Sequence, residues 1–137
     1  MVLGSGGREN AIAWKISQSK DCDKLYAMPG NPGTAQLGQN LSGSPLDFCR
    51  VKQAVLDYSI DLVAVGPEEP LVRGLGDFFL ADPDLKDVLF VGPCAKGAAL
   101  EGSKDFAKQF MLRHGIPTAR FRTFTLETLA LADSFLE

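Results

Sequence analysis

The sequence predicts an α/β fold in which an open parallel sheet carries helices on both faces. Three observations carry that expectation. Short apolar runs rich in Val, Leu and Ile recur, stretches with helical spacing separate them, and each run opens into a loop bearing Gly or Pro. Strands buried on both faces read as continuous apolar runs, and a parallel strand needs a crossover helix, so this alternation specifies a parallel sheet.

The first strand is expected at Met1 to Leu3, followed by a helix over Gly7 to Ser19 with Ala11, Ile12, Trp14 and Ile16 among polar residues. A second strand follows at Lys24 to Met28. The polar stretch from Gln36 to Ser44, with two glycines, reads as a loop. Leu46 to Tyr58 carries Leu46, Cys49, Val51, Val55 and Leu56 at helical spacing and leads to a third strand, Leu62 to Val65. Leu71 to Ala81 reads as one helix, with Pro70 in its first turn and Asp82-Pro83-Asp84 as its stop. Val88 to Val91 is the fourth strand.

Beyond it the texture changes. Ser103 to His114 is a strong helix with Phe106, Phe110, Met111 and Leu112 apolar, closed by Gly115 and Pro117. Ala119 to Phe124 reads as a further strand and Thr125 to Glu137 as the start of a helix capped by Thr125. A strand and a helix cannot bury a core alone. The expected organisation is therefore a sheet domain over residues 1–101, then a boundary helix and the beginning of a second domain over 102–137.

Composition narrows the function. With 45% apolar residues in 137, the chain can bury one core of ordinary size. Fourteen Lys and Arg against seventeen Asp and Glu leave a net charge of −3, which provides no broad cationic field for nucleic acid. Cys22, Cys49 and Cys94 are odd in number and widely spaced, with only His114 as an imidazole, so neither a disulfide framework nor a zinc site is expected. No signal-peptide core or membrane-length apolar run occurs, and a cytoplasmic location is the natural expectation.

The loops after the strands should collect at one sheet edge, where ligands of open parallel sheets bind. The first, Gly4-Ser5-Gly6-Gly7-Arg8-Glu9-Asn10, joins a strand to a helix, so its glycines let a phosphate approach the amides of the helix start. It is no dinucleotide fingerprint: Glu9 stands where GxGxxG has its third glycine, and the second strand ends in Met28-Pro29 rather than an acidic residue. It is no Walker loop either, since no Gly-Lys-Ser or Gly-Lys-Thr closes it. Alone it reads equally well as a tight turn. Met28 to Thr34 holds two prolines and two glycines and, alone, also reads as a turn. In Val65-Gly66-Pro67-Glu68-Glu69-Pro70-Leu71 one carboxylate suits helix-start stabilisation, while the other suits a ribose hydroxyl or an amine better than a phosphate. Cys94 reads as a packed small residue, Lys96, Lys104 and Lys108 as solvated charges, and His114 as a cation at a helix end.

Four stretches in this order and spacing, GSGGREN, PGNPGTA, VGPEEPL and LEGSKDFAKQFMLRHGIPTA, resemble the N-terminal region of the glycinamide ribonucleotide synthetase (phosphoribosylamine–glycine ligase) family, across nearly the whole chain. The resemblance implies an ATP-grasp ligase whose Rossmann-like N-terminal domain precedes the ATP-binding lobes. It implies a reaction joining phosphoribosylamine to glycine with ATP and Mg²⁺ through a glycyl phosphate, in purine biosynthesis. It implies partners that are small molecules, with the ATP-grasp domains in cis. Carried over by residue, Gly4, Ser5, Gly6, Gly7, Arg8 and Glu9 match the loop lining the phosphoribosylamine side. Pro29, Gly30 and Asn31 match the second loop, and Gly66, Pro67 and Glu68 the third. Lys104 matches the lysine that reaches the ATP phosphates, and no catalytic or metal-ligating residue is carried over. The chain departs from the family pattern at Asn10, where histidine is usual, at Pro32 and at Glu69, where small residues are. Asn10 donates a hydrogen bond but does not titrate. The alternatives are a self-contained nucleotide or sugar-phosphate binding module, and a related ATP-grasp ligase acting on glycinamide ribonucleotide with formate.

Overall fold

A computed structural model describes residues 1–136. They form two compact units, Met1–Ala98 and residues 99 onward.

The first unit runs β1 (Val2–Gly4), α1 (Gly7–Ser17), β2 (Tyr26–Pro29), β3 (Gln39–Asn40), α2 (Phe48–Asp57), β4 (Leu62–Val65), α3 (Glu68–Val72), α4 (Leu75–Ala81) and β5 (Leu89–Val91). All five strands are parallel, in the order β3-β2-β1-β4-β5. The chain moves outward from β1 to β3, then crosses back to build β4 and β5 on the other side. Right-handed crossovers made in opposite directions put their helices on opposite faces. Accordingly, Val2 packs with Ala13 of α1 and Leu25 on one face. Leu3, its neighbour in the strand, points the other way into a larger cluster with Met28, Val51 and Val55 of α2, and Leu75 and Phe79 of α4.

Local chemistry explains the helix limits. Asp47 caps α2, its Oδ1 accepting the Arg50 N–H at 2.9 Å. Lys52 on α2 reaches the end of α4, donating to Asp82 at 2.6 Å and Asp84 at 2.8 Å. The bond to Asp82, then that to Asp84, raise the lysine pKa, and Lys52 in turn lowers that of Asp82.

Two expectations in this unit need correction. The stretch read as a loop over Gln36 to Ser44 contains β3: its Gln39 N–H donates to the Leu25 carbonyl just before β2 at 2.9 Å, and the Leu41 N–H just after it donates to Ala27 of β2 at 2.8 Å. A two-residue polar edge strand carries no apolar run, so nothing in its own pattern announces it. The helix expected over Leu71 to Ala81 is two helices, because Gly74 adopts φ 94° and turns the chain between α3 and α4. That conformation costs a residue with a Cβ about 1 kcal/mol or more, and glycine almost nothing.

An additional helix, α5 (Ala95–Gly102), precedes α6 (Lys104–Arg113), which Ser103 caps by accepting the Phe106 N–H at 3.2 Å. In the second unit Lys108 donates to Thr118 at 2.6 Å, and the Thr123 hydroxyl donates to Asp105, so the segment after α6 folds back along it. No residue of α6 is buried. Ala119 to Phe124, expected as a strand, pairs with no strand among the described residues, and without a ladder an extended segment remains a coil. Thr125 caps no helix; its N–H donates to the Thr128 hydroxyl in a turn at 2.8 Å. The helix that follows, α7 (Asp133–Leu136), is short. Glu137, the last residue of the helix expected from Thr125, lies outside the described residues.

Candidate functional site

The loops after β1, β2 and β4 lie side by side at the carboxyl ends of the strands, and the direction of chain growth reverses between β1 and β4. In open parallel sheets that reversal opens the ligand crevice. A pocket of about 280 Å³ occupies it, walled by Gly4, Ser5, Gly6, Glu9, Pro29 and Pro67 of the sequence-derived set. Ser44 to Leu46 complete the wall, with Glu69 and Pro70 of α3. These additions come from a stretch without a motif and from a carboxylate one position beyond the one singled out. Only their place in the fold reveals them. Glu68, at the first position of α3, is exposed and lies outside the wall, whereas Glu69 lines it and pairs with Arg73 at 2.7 Å.

The loops are tied to one another by specific bonds. Arg8 Nη1 donates to the Gly66 carbonyl at 2.8 Å, linking the first loop to the third. The Gly30 N–H donates to the Gly4 carbonyl at 3.1 Å. The Asn31 amide donates to the carbonyls of Ser5 at 3.0 Å and Gly6 at 3.2 Å, while its oxygen accepts the N–H groups of Gly33 at 2.8 Å and Thr34 at 2.9 Å. An amide side chain has two donor hydrogens and two acceptor lone pairs. Asn31 uses all four within the protein.

Glu9 is buried, with 6% exposure, and its Oε2 accepts the Gly6 N–H at 2.6 Å. Gly4, Gly6 and Gly66 close around it so tightly that a Cβ on any of the three would come nearer than 3.0 Å. The glycine at 66 thus answers a demand for space made by a residue far away in sequence. Glu9 acts as the reciprocal half of a capping box, turning its carboxylate back onto the backbone that precedes α1. The N–H groups of Gly7, Arg8 and Glu9 meet no acceptor among the described residues. They form the positive end of an eleven-residue helix, a ready position for an anion.

Asn10, on the same helix, places its Oδ1 against Gly33 without a hydrogen-bond partner, although the atom is buried. Lys104 belongs to the second unit, exposed at the first position of α6. A larger cavity, about 570 Å³, lies at the opposite edge of the sheet beneath Met1, Cys22, Tyr26 and Tyr58. It sits at the amino ends of the strands, away from the crevice and the helix starts that favour ligands, so size alone does not mark the site. Burial there lowers the Met1 amine to a pKa of about 6, despite the opposing pull of Cys22 and Asp61. Among the described residues no helix is long and apolar enough to cross a membrane.

Comparison with known proteins shows the family and the fold. The family model "Phosphoribosylglycinamide synthetase, N domain" matches residues 1–101. A phosphoribosylamine–glycine ligase of Rhizobium meliloti is 48% identical over 131 residues, 91% of this chain and 29% of the relative. The trifunctional purine biosynthetic protein adenosine-3 of Gallus gallus is 46% identical over 127 residues, 91% of this chain and 12% of that protein. The crystal structure of a phosphoribosylamine–glycine ligase from Thermotoga maritima superposes with a TM-score of 0.61 at 31% identity, covering 98% of this chain and 29% of that one. The chain therefore spans less than a third of the length of these relatives. With a parallel sheet of this order, three glycine-bearing loops at its switch point and a family model matched over residues 1–101, the chain belongs to the phosphoribosylglycinamide synthetase N-domain family.

Proposed function

We propose that this chain is the substrate-binding N-terminal part of an ATP-dependent carbon–nitrogen ligase that joins phosphoribosylamine to glycine in purine biosynthesis. The observation that carries the reading is the meeting of the three loops around one pocket beside the unpaired amides of α1. In it, the phosphate of phosphoribosylamine lies at the start of α1 against Gly7 and Arg8, with Ser5 and Gly6 forming the approach. Pro29 walls one side and Pro67 the other, while Gly30, Asn31 and Gly66 lie behind the wall and hold the loops together, with Glu9 supporting the first loop from beneath. Glu68 and Glu69 supply carboxylates at the same edge for a ribose hydroxyl or the amine, since either would repel the phosphate itself.

Attack of an amine on an acyl phosphate requires positioning and charge neutralisation more than a protein nucleophile. A tied amide cradle suits that task, and no catalytic side chain is assigned to this chain. ATP would supply the activation of the glycine carboxylate, and Lys104 is the residue here that would meet its phosphates, the remainder of that site belonging to ATP-grasp lobes that follow residues 102–137. The described residues include no cluster of three or more His, Cys, Asp or Glu to hold a cation, so Mg²⁺ is assigned no ligand and no step in this chain.

Calorimetric titration of the 137-residue chain with ribose 5-phosphate, paired with a turnover assay on ATP, glycine and phosphoribosylamine, tests the reading. Weak binding of the sugar phosphate without turnover is expected. Nanomolar affinity for a nucleotide by this chain alone would instead favour a self-contained binding module. Formation of glycinamide ribonucleotide by the chain alone would refute its dependence on further domains.

A further inference from the structure

Behind the second loop stands a cluster that the substrate reading does not use. Asn40, in the edge strand β3, donates through Nδ2 to the Asn31 carbonyl at 2.8 Å and accepts the Thr34 hydroxyl at its Oδ1 at 2.8 Å. Thr34 is 1% exposed, and its hydroxyl oxygen accepts the Asn31 N–H at 2.8 Å. Asn31 is thereby gripped at its N–H and its carbonyl, while its side chain holds the Ser5 and Gly6 carbonyls. The base of the cluster is fixed by the sheet rather than by a loop, since Asn40 stands opposite Ala27 in the β2–β3 ladder.

We propose that Asn40, acting through Thr34 and Asn31, is a positioning residue that sets the direction of the amides at the start of α1; its effect on ligand binding rests on the ribose-phosphate reading above. Peptide planarity supplies the mechanism, because the C=O and N–H of a trans unit point in opposite directions. Turning the Ser5 carbonyl toward Asn31 sends the Gly6 N–H the other way, where Glu9 receives it at 2.6 Å. The Gly6 carbonyl is held by Asn31 and by the Asn10 N–H at 3.1 Å, which leaves the Gly7 N–H directed outward from the helix start. Neither Thr34 nor Asn40 lines the pocket, so each acts on a ligand only through the loop it holds.

The test uses the 137-residue chain with Thr34→Val, Asn40→Ala and the conservative Thr34→Ser. Two readouts are followed: the ¹⁵N–¹H resonances of Gly6 and Gly7, and the Kd for ribose 5-phosphate from the same titration. Thr34→Val and Asn40→Ala should displace both resonances and weaken binding about fivefold to tenfold, the scale of one lost hydrogen bond. Thr34→Ser, which keeps the hydroxyl, should restore both. Should Asn40→Ala fail to fold, Thr34→Val and Thr34→Ser carry the test, because they change few atoms. Parent-like Gly6 and Gly7 resonances in folded Thr34→Val would overturn the proposal, as would equal damage from Thr34→Ser. If the unsubstituted chain does not bind ribose 5-phosphate, the ligand reading fails, and the two resonances alone decide the positioning role: displaced they uphold it, unmoved they overturn it.

Discussion

Replacing Gly66 by alanine probes the packing beneath the candidate site. The new Cβ would stand 2.5 Å from the Cδ of Glu9, where carbon atoms in contact normally keep about 3.5–4.0 Å. Glu9 is almost wholly buried, and Gly4 and Gly6 also press close upon its side chain. Either its surroundings shift by about 1 Å, or its carboxylate leaves and the Gly6 N–H loses its acceptor. Overpacking of this kind costs about 1–3 kcal/mol, and loss of a hydrogen bond to a charged group is of similar size. In a domain of this size, that lowers Tm by roughly 4–20 °C. The assay is a thermal melt followed by circular dichroism on the parent, Gly66→Ala, Glu9→Ala and the double variant. Removing the Glu9 side chain relieves the crowding, so Gly66→Ala should cost under about 0.5 kcal/mol in that background, the scale of a substitution that disturbs nothing. A single variant melting within about 2 °C of the parent, or an unchanged penalty in the double variant, would refute the reasoning.

Three further outcomes are expected. For a polypeptide starting at Met1, the buried amine has a pKa of about 6 when folded against a model value of 8.0. The unfolded chain then binds more protons between those values, so stability should rise with pH across that window by at most about 2–3 kcal/mol, as urea melts at pH 5.5 and 8.5 would show. Lys52 and Asp82 shift in the opposite sense. Their mutual stabilisation is present between the depressed carboxylate pKa and the raised lysine pKa, and it fades as pH falls through the first or rises through the second. Lys52→Met should therefore lower Tm at neutral pH in low salt, with a smaller effect in 1 M salt, where the pair is screened. Asp47→Ala removes the cap of α2 and should cost about 1 kcal/mol in urea unfolding, whereas Asp47→Ser should retain most of it.

The first loop shows how much of the site is legible in the chain itself. A strand followed by GSGGRE announces a tight turn into a helix, and with it the amides that an anion would meet. Its partners are harder to read. Glu9 stands in a motif and invites a binding role, yet it is buried under Gly66, because β1 and β4 become neighbours only when the sheet closes. Glu68 and Glu69 are indistinguishable by type, and the rotation of one helix start decides which of them faces the pocket. Asn31 matches a family loop by its residues, but its four side-chain bonds exist only once three loops meet.

The strands follow the same division. Leu62 to Val65 is visible as an apolar run because both its faces are covered, so burial is written into its composition. Gln39–Asn40 is a strand for the opposite reason: the neighbouring β2 offers it a ladder, whatever its own propensity. By itself the sequence determined the parallel α/β class, the three glycine-bearing loops and their common edge, since periodicity and turn chemistry act over a few residues. The tertiary structure alone decided which carboxylate is buried, which one lines the pocket, and which asparagine holds the loops together. Those outcomes depend on contacts between residues far apart in the chain, and no local pattern encodes them.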